Sequence, residues 1–170
     1  CFDALTYNAR THSNDRIYRI QNKTFSTEVS HEHGNYEYLM ANDLDLGNEF
    51  VRGELFYWGR WFVDMTQVDG FRVDAVKHIR SSFFKDWLNH LRVHFGGREL
   101  FSVGEYWSPN VDELHNYIAA SEGRLSLVDV PLHYKFSSAS KSGSNFDLRT
   151  IFDRTLVKEQ PALAVTFVEN

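Results

Sequence analysis

The stretch DGFRVDAVKHI, residues 69–79, constrains the fold of this chain more than any other segment. After an Asp-Gly turn signal, apolar and polar residues alternate with a period of two, which predicts a β-strand. Arg72 and Asp74 then share one face of that strand, between neighbours that are typical of a buried segment. Because burying a guanidinium and a carboxylate is costly unless they pair well, we expect a buried Arg72–Asp74 ion pair.

The rest of the chain predicts helices and strands in alternation. Helices are predicted at residues 51–65, 81–95, 108–118 and 146–156. Strands are predicted at residues 69–79, 99–107, 126–132 and 162–170. In the first helix the apolar face is expected to consist of Val51, Leu55, Trp58, Phe62 and Met65. Short strands that alternate with longer helices indicate parallel βαβ units, so the sequence predicts an α/β fold.

An eight-stranded barrel and a doubly wound sheet both fit this order of elements. A complete barrel of eight strand–helix units needs about 250 residues. The chain has 170 residues and ends on a predicted strand. An intact domain seldom ends in this way, so we expect the chain to be a fragment of a longer protein.

The composition argues against some classes of partner. A net charge of −5 and the absence of any Lys/Arg-rich run make nucleic acid an unfavourable partner. The single cysteine, Cys1, provides neither an internal disulfide nor a cysteine metal site. No apolar run approaches the roughly 18 residues of a membrane span, so no membrane association is expected. Aromatic residues make up 15% of the chain, which suits a well-packed protein and also suits one that stacks flat ligands such as sugars or bases.

Functional side chains of parallel α/β proteins gather at the carboxyl ends of the strands. The first predicted strand ends near Asp74, Lys77 and His78, and the second ends near Glu105 and Trp107. Two carboxylates across one pocket can divide the roles of nucleophile and general acid, the arrangement that cleaves glycosidic bonds. Plainer interpretations stay open at this point, since a strand-end aspartate often only caps a turn and a tryptophan is more often core than ligand platform.

A further group of acidic residues precedes the first predicted helix. Glu37, Asp43 and Asp45 offer the carboxylate oxygens that calcium prefers. Their spacing matches no fixed calcium-binding loop, so a solvated acidic loop fits the same residues equally well.

Several segments resemble a known family. GFRVDAVKH, GEYW and FVEN resemble three signature segments of the α-amylases in glycoside hydrolase family thirteen, and ANDLDL resembles a fourth. GNYEYLM, VDVPLHY and PALAVTFVEN are similar to the bacterial liquefying type. The resemblance implies an incomplete (β/α)₈ TIM barrel that holds about strands four to seven. Residues 1–45 would be the latter part of an irregular inserted domain, domain B, and residues 46–170 would be part of the catalytic barrel.

The resemblance also implies a role for each residue at the strand ends. Asp74 is implied to be the nucleophile, Glu105 the general acid/base, and Arg72 the group that orients Asp74 and keeps it ionised. The residues implied to contact the glucan are Lys77, His78 and Trp107. The implied activity is hydrolysis of internal α-1,4-glucosidic bonds in starch, glycogen and maltooligosaccharides by a retaining double displacement, in a protein expected to be a monomer.

Calcium is the cofactor that the resemblance implies, bound between the barrel and the inserted domain. The implied ligands are the carboxylates of Asp43 and Glu37 and the backbone carbonyl of His78, with Asp45 at an adjoining cation site. Position 37 departs from the family pattern, because relatives commonly have aspartate there.

The family's third catalytic acid is expected beyond this sequence, in a His-Asp pair directly after Asn170. We therefore expect the isolated 170 residues to be inactive. Two other functions also fit the sequence, namely hydrolysis of short α-glucosides or branch points and non-catalytic sugar binding. A metal-dependent barrel lyase is a more distant alternative. The compartment stays undetermined, since relatives occur both inside and outside cells.

Overall fold

A computed structural model of the chain describes residues 5–8, 13–17, 28–30 and 44–169. The helices are α1 (Glu49–Thr66), α2 (Ser81–His94), α3 (Val111–Ala120), α4 (Val130–Ser142) and α5 (Leu156–Glu159). The strands are β1 (Leu5–Asn8), β2 (Ser13–Ile17), β3 (Gly70–Val73), β4 (Phe101–Gly104), β5 (Ser126–Val128) and β6 (Ala164–Val165). Short 3₁₀ turns occupy Val76–His78, Gly143–Asn145, Leu148–Thr150 and Pro161–Leu163. Within these ranges, no helix combines the length and the apolar character that crossing a bilayer requires.

The strands form two separate sheets. β1 and β2 pair antiparallel, whereas the other four strands form a parallel sheet in the order β3-β4-β5-β6. Strands that are neighbours in this sheet are also consecutive in sequence, and at least one helix connects each pair. Each unit is therefore a parallel βαβ crossover. The parallel α/β organisation expected from the alternation of elements is confirmed.

The start of β3 is fixed by a close approach of two main chains. Gly70 pairs with Phe101 at the first position of β3 and β4. A Cβ atom at Gly70 would overlap the carbonyl group of Phe101, so only glycine fits here. The core lies between this sheet and its helices, where Leu127 on β5, Leu91 on α2 and Leu114 on α3 are fully buried.

The buried face of α1 differs from the apolar stripe expected from sequence. Gly59 is buried, whereas Trp58 and Met65 are 46% and 67% exposed. A Cβ atom at Gly59 would come within 2.7 Å of the Trp87 indole, whose Nε1 donates a hydrogen bond to the Leu55 carbonyl oxygen at 3.0 Å. The indole therefore needs a glycine opposite it, and this contact turns the face of α1 away from the predicted stripe.

The element boundaries in the second half of the sheet also differ from the prediction. The predicted strand at 126–132 ends at Val128, where the chain enters α4, and the predicted helix at 146–156 consists mainly of turns. Asp129 causes the first difference, because its side chain caps α4 by accepting a hydrogen bond from the Leu132 N–H at 3.0 Å. Pro131 lies in the first turn of the same helix, where proline is well tolerated.

Asp129 also joins three elements at the end of β5. Its Oδ2 accepts a hydrogen bond from the Val157 N–H of α5 at 2.7 Å. Its own N–H donates to the Val165 carbonyl oxygen of β6 at 2.9 Å. The residue is fully buried, so this carboxylate satisfies two backbone donors away from water.

We predict that Asp129→Ala lowers the free energy of unfolding by about 2–5 kcal/mol, because it leaves two backbone N–H groups without their carboxylate acceptor. Urea unfolding followed by circular dichroism measures this loss. Asp86→Ala, on the exposed face of α2, is the control and should change stability by less than about 0.5 kcal/mol. Equal stability of the two variants would contradict the prediction.

Candidate active site

The parallel pairing of β3 and β4 brings the two predicted carboxylates to one edge of the sheet. The register pairs Val73 with Gly104 as the last residues of the strands, so Asp74 and Glu105 follow side by side. The main chain continues the pairing past the strand ends, since the Glu105 N–H donates to the Val73 carbonyl oxygen at 2.8 Å. The Val76 N–H donates to the Glu105 carbonyl oxygen at 3.0 Å. The sequence prediction that these residues meet agrees with this geometry.

One guanidinium lies between the two carboxylates. Arg72 Nη1 is 3.0 Å from Asp74 Oδ1, and Arg72 Nη2 is 3.4 Å from Glu105 Oε2. The prediction of an Arg72–Asp74 pair therefore agrees with the structure, while the contact with Glu105 was not anticipated. Both carboxylates therefore form an ion pair with the same cation, the Arg72 guanidinium.

The expectation that this pair is buried is wrong for the described residues. The side chains of Arg72 and Asp74 are 50% and 72% exposed, whereas that of Glu105 is only 14% exposed. β3 is an edge strand of the described parallel sheet, and its flanking residues Phe71 and Val73 are themselves only partly buried. The ion pair consequently faces solvent on one side, where such pairs add little stability.

The strand predicted up to residue 79 stops at Val73, and a turn follows. Ala75 has left-handed backbone angles, φ 49° and ψ 37°, and the 3₁₀ turn Val76–His78 comes next. In this conformation the Ala75 N–H donates a hydrogen bond to Glu105 Oε2 at 3.3 Å. The carboxylate of Glu105 is thus held by Ala75 and Arg72 through the same oxygen.

The predicted substrate contacts Lys77 and Trp107 lie together on the segments that follow Asp74 and Glu105. Lys77 Nζ donates a hydrogen bond to the Trp107 carbonyl oxygen at 3.0 Å. The Trp107 indole packs near the rings of His133 and Phe167, with centroid distances of 5.4 and 5.9 Å. Its Nε1 donates to the Tyr134 hydroxyl at 3.2 Å.

Two members of this aromatic group were missed by sequence reasoning. His133 and Tyr134 follow the segment 126–132 that was assigned to a strand, and the structure places them on α4. His133 stacks on Phe167 with a centroid distance of 5.0 Å and an interplanar angle of 1°. The usable signal was the His-Tyr pair in VDVPLHY, which belongs to a segment that resembles the α-amylases.

Comparison with known proteins identifies relatives of the chain. It is 54% identical to an α-amylase of Geobacillus stearothermophilus over 157 residues, which cover 91% of this chain and 28% of that protein. It is 46% identical to an α-amylase of Bacillus licheniformis over 156 residues, which cover 92% of this chain and 30% of that protein. No profile of a known protein family matches.

The chain is a homologue of the bacterial α-amylases. The resemblance drawn from the signature segments is confirmed. A crystal structure of an Anoxybacillus α-amylase superposes with a TM-score of 0.64 at 23% identity, over 76% of this chain and 28% of that one, which shows a shared fold. The chain spans less than a third of the length of these relatives, from 28% to 30%.

The predicted cation ligands of this α-amylase homologue are only partly within the described residues. Glu37 and Asp43 lie outside them. Asp45 forms a turn, in which its Oδ1 accepts from the Gly47 N–H at 3.0 Å. His78 is buried at the end of the 3₁₀ turn. Across the ranges that the structure describes, no group of three or more His, Cys, Asp or Glu side chains is arranged to hold a metal ion.

A cavity of about 670 Å³ adjoins Lys77 and Trp107. Its lining includes Tyr117 of α3, whose buried hydroxyl has no hydrogen-bond partner among the described residues. Burial raises the pKa of Tyr117, and the nearby Tyr106 ring adds to the effect. The phenol therefore stays neutral throughout the physiological range of pH.

We predict that Tyr117→Phe leaves the free energy of unfolding unchanged or raises it by about 1 kcal/mol, because it removes a buried hydroxyl for which the described residues provide no partner. Tyr134→Phe is the matched control, since it deletes a hydroxyl that accepts from Trp107, and it should lower stability by about 0.5–1 kcal/mol. Urea unfolding at pH 7 compares them. A larger loss in the Tyr117 variant would contradict the prediction.

The raised pKa of Tyr117 adds a pH dependence with a definite sign. Below the unfolded-state pKa of about 10, the Tyr117 phenol is protonated in both the native and the unfolded state, so it does not affect the free energy of unfolding. Above this pH, Tyr117 ionises in the unfolded chain before it ionises in the native protein, so the stability of the native protein falls. Tyr117→Phe should reduce this alkaline loss of stability.

Proposed function

We propose that the full-length protein hydrolyses internal α-1,4-glucosidic bonds of starch and related glucans with retention of configuration. The observation that carries the proposal is the Arg72 guanidinium between Asp74 and Glu105 at adjacent strand ends. Similarity to the α-amylases supports it. The four parallel strands would be strands four to seven of a (β/α)₈ barrel, preceded by the latter part of an inserted domain in residues 1–45.

In the proposed first step, Asp74 attacks the anomeric carbon while protonated Glu105 donates its proton to the departing glycosidic oxygen. A covalent glycosyl ester forms as the glycosidic bond breaks. In the second step Glu105 takes a proton from water, whose oxygen attacks the anomeric carbon and releases Asp74. The shared guanidinium of Arg72 holds both carboxylates in place.

The residues beside the carboxylates would bind the leaving-group side of the glucan. Trp107 offers a ring for stacking, and Lys77 and His78 lie on the turn that follows Asp74. The ring group of His133 and Tyr134 extends this surface along α4. Aromatic faces suit sugar rings, which present apolar C–H groups to them.

We predict that Asp74→Asn and Glu105→Gln each lower kcat on soluble starch by at least about 10³-fold in the full-length protein. Reducing-sugar assays measure the loss, and proton NMR of the first products should show the α-anomer. Asp86→Asn, on the exposed face of α2, serves as the control and should retain activity. Unchanged activity of Asp74→Asn would exclude Asp74 as the nucleophile, whereas binding of starch without hydrolysis by the unsubstituted protein would favour a non-catalytic sugar-binding protein.

Hydrolysis of short α-glucosides is the competing activity within the same family. Product analysis of the full-length protein on starch and on maltose separates the two. Rapid loss of starch viscosity with slow attack on maltose supports the endo-acting proposal. Rapid attack on maltose with slow attack on starch would instead support hydrolysis of short α-glucosides.

We propose calcium as a structural ion of the full-length protein. The proposed ligands are the carboxylates of Glu37 and Asp43 and the His78 carbonyl, with Asp45 at an adjoining site, and such oxygen donors suit calcium. One described contact supports the placement, because the Ser30 N–H donates to the Lys77 carbonyl oxygen at 2.9 Å. This bond attaches the segment before α1 to the turn that carries His78. The ion would hold these parts of the chain together.

Removal of calcium should therefore lower thermal stability. A ligand bound only by the native state at about 100 times its Kd adds about 2.7 kcal/mol. We expect EDTA to lower the Tm by several degrees, and excess Ca²⁺, but not Mg²⁺, to restore it. Asp43→Asn should reduce the effect of EDTA. Scanning calorimetry checks this, and a Tm insensitive to EDTA would contradict it.

A further inference from the structure

Ala75 adopts a backbone conformation that alanine disfavours, directly after Asp74. Its φ of 49° and ψ of 37° lie in the left-handed region, where the Cβ atom of an L-residue is crowded. Among the described residues the other non-glycine positions with positive φ are Gln67, Glu122 and Arg154. Gln67 ends α1 and Glu122 follows the end of α3, whereas Ala75 lies within the candidate active site, directly after Asp74.

The left-handed conformation directs two successive N–H groups at one residue of the neighbouring strand end. The Ala75 N–H donates to Glu105 Oε2 at 3.3 Å, and the Val76 N–H donates to the Glu105 carbonyl oxygen at 3.0 Å. In an extended strand, successive N–H groups point to opposite sides. Both can reach Glu105 only because the chain leaves the extended conformation at Ala75.

We propose that Ala75 is a positioning residue for Glu105. Its left-handed conformation lets the Ala75 N–H reach the carboxylate while the Val76 N–H binds the carbonyl oxygen of the same residue, and together these bonds fix the orientation in which Glu105 gives up and regains its proton. Arg72 contacts the same oxygen but also contacts Asp74, so it cannot by itself orient Glu105 independently of Asp74. The Ala75 N–H supplies a contact for Glu105 alone. This inference rests on the proposed hydrolase function.

A series of substitutions at position 75 in the full-length protein tests the proposal. Glycine adopts the left-handed region without cost, and asparagine tolerates it better than other residues with a side chain. Valine is β-branched and strongly disfavours it. Ala75→Gly and Ala75→Asn should keep kcat on starch within about three-fold, whereas Ala75→Val should lower it about 10–100-fold with little change in KM.

The dependence of the activity loss on the leaving group distinguishes a positioning role of Ala75 from a general disturbance of the active site. A maltooligoside with a 2,4-dinitrophenyl leaving group needs little protonation as its bond breaks, although hydrolysis of the covalent intermediate still needs Glu105 as base. The kcat/KM of Ala75→Val, which reports the steps up to bond cleavage, should therefore fall much less on this substrate than on starch. A uniform loss of kcat/KM on both substrates would overturn the proposal. So would equal losses in the asparagine and valine variants, because these side chains are similar in size and would then act through crowding.

Two further measurements keep the test decisive. Thermal unfolding of Ala75→Gly should show a Tm equal to or above that of the unsubstituted protein, and a lower Tm would overturn the left-handed assignment even if the valine variant does not fold. Glu105→Gln on the same two substrates tests the proposed function itself. If the loss in Glu105→Gln does not depend on the leaving group, the proposed function is contradicted. If the loss depends on the leaving group in Glu105→Gln but not in Ala75→Val, only the positioning role of Ala75 is contradicted.

Discussion

The close main-chain approach of β3 and β4 is the constraint on which the candidate site depends. Gly70 allows β3 to begin against the Phe101 carbonyl, and the register then runs evenly to Val73 and Gly104. Asp74 and Glu105 leave the sheet side by side as a result. A shift of β3 by one residue would move Arg72 and Asp74 to the opposite face of the sheet and separate them from Glu105. The geometry of the site is therefore a property of strand register.

The two carboxylates share a cation but have different surroundings. Asp74 is 72% exposed and Glu105 is 14% exposed. Glu105 is held at its N–H, at its carbonyl and at its carboxylate by residues of the neighbouring strand end. A proton donor must keep one orientation through both halves of a double displacement. These three contacts match the role proposed for Glu105.

Local patterns predicted the parts of the fold that depend on local chemistry. A period of two placed Arg72 and Asp74 on one face, and the alternation of elements gave the parallel sheet. The errors arose where residues distant in sequence determine which face of a helix is buried or where a strand ends. The buried face of α1 depends on Trp87, thirty-two residues from the Leu55 carbonyl that it binds. The end of β5 depends on Asp129, whose second donor is twenty-eight residues away. Nothing in the intrinsic preferences of alanine indicates the left-handed Ala75.

Backbone and side-chain contacts join the turn after β3 to the segment after β4. The N–H groups of Ala75 and Val76 bind Glu105, and Lys77 Nζ binds the Trp107 carbonyl oxygen. The proposed proton donor and two proposed substrate contacts are thus coupled through backbone atoms. Under the proposed function, a substitution that shifts either segment would change catalysis and glucan binding together. Tyr134 on α4 meets Trp107 through a hydrogen bond and a ring contact between side chains. Its substitution would therefore alter the proposed glucan-binding surface and leave the backbone contacts of Glu105 in place.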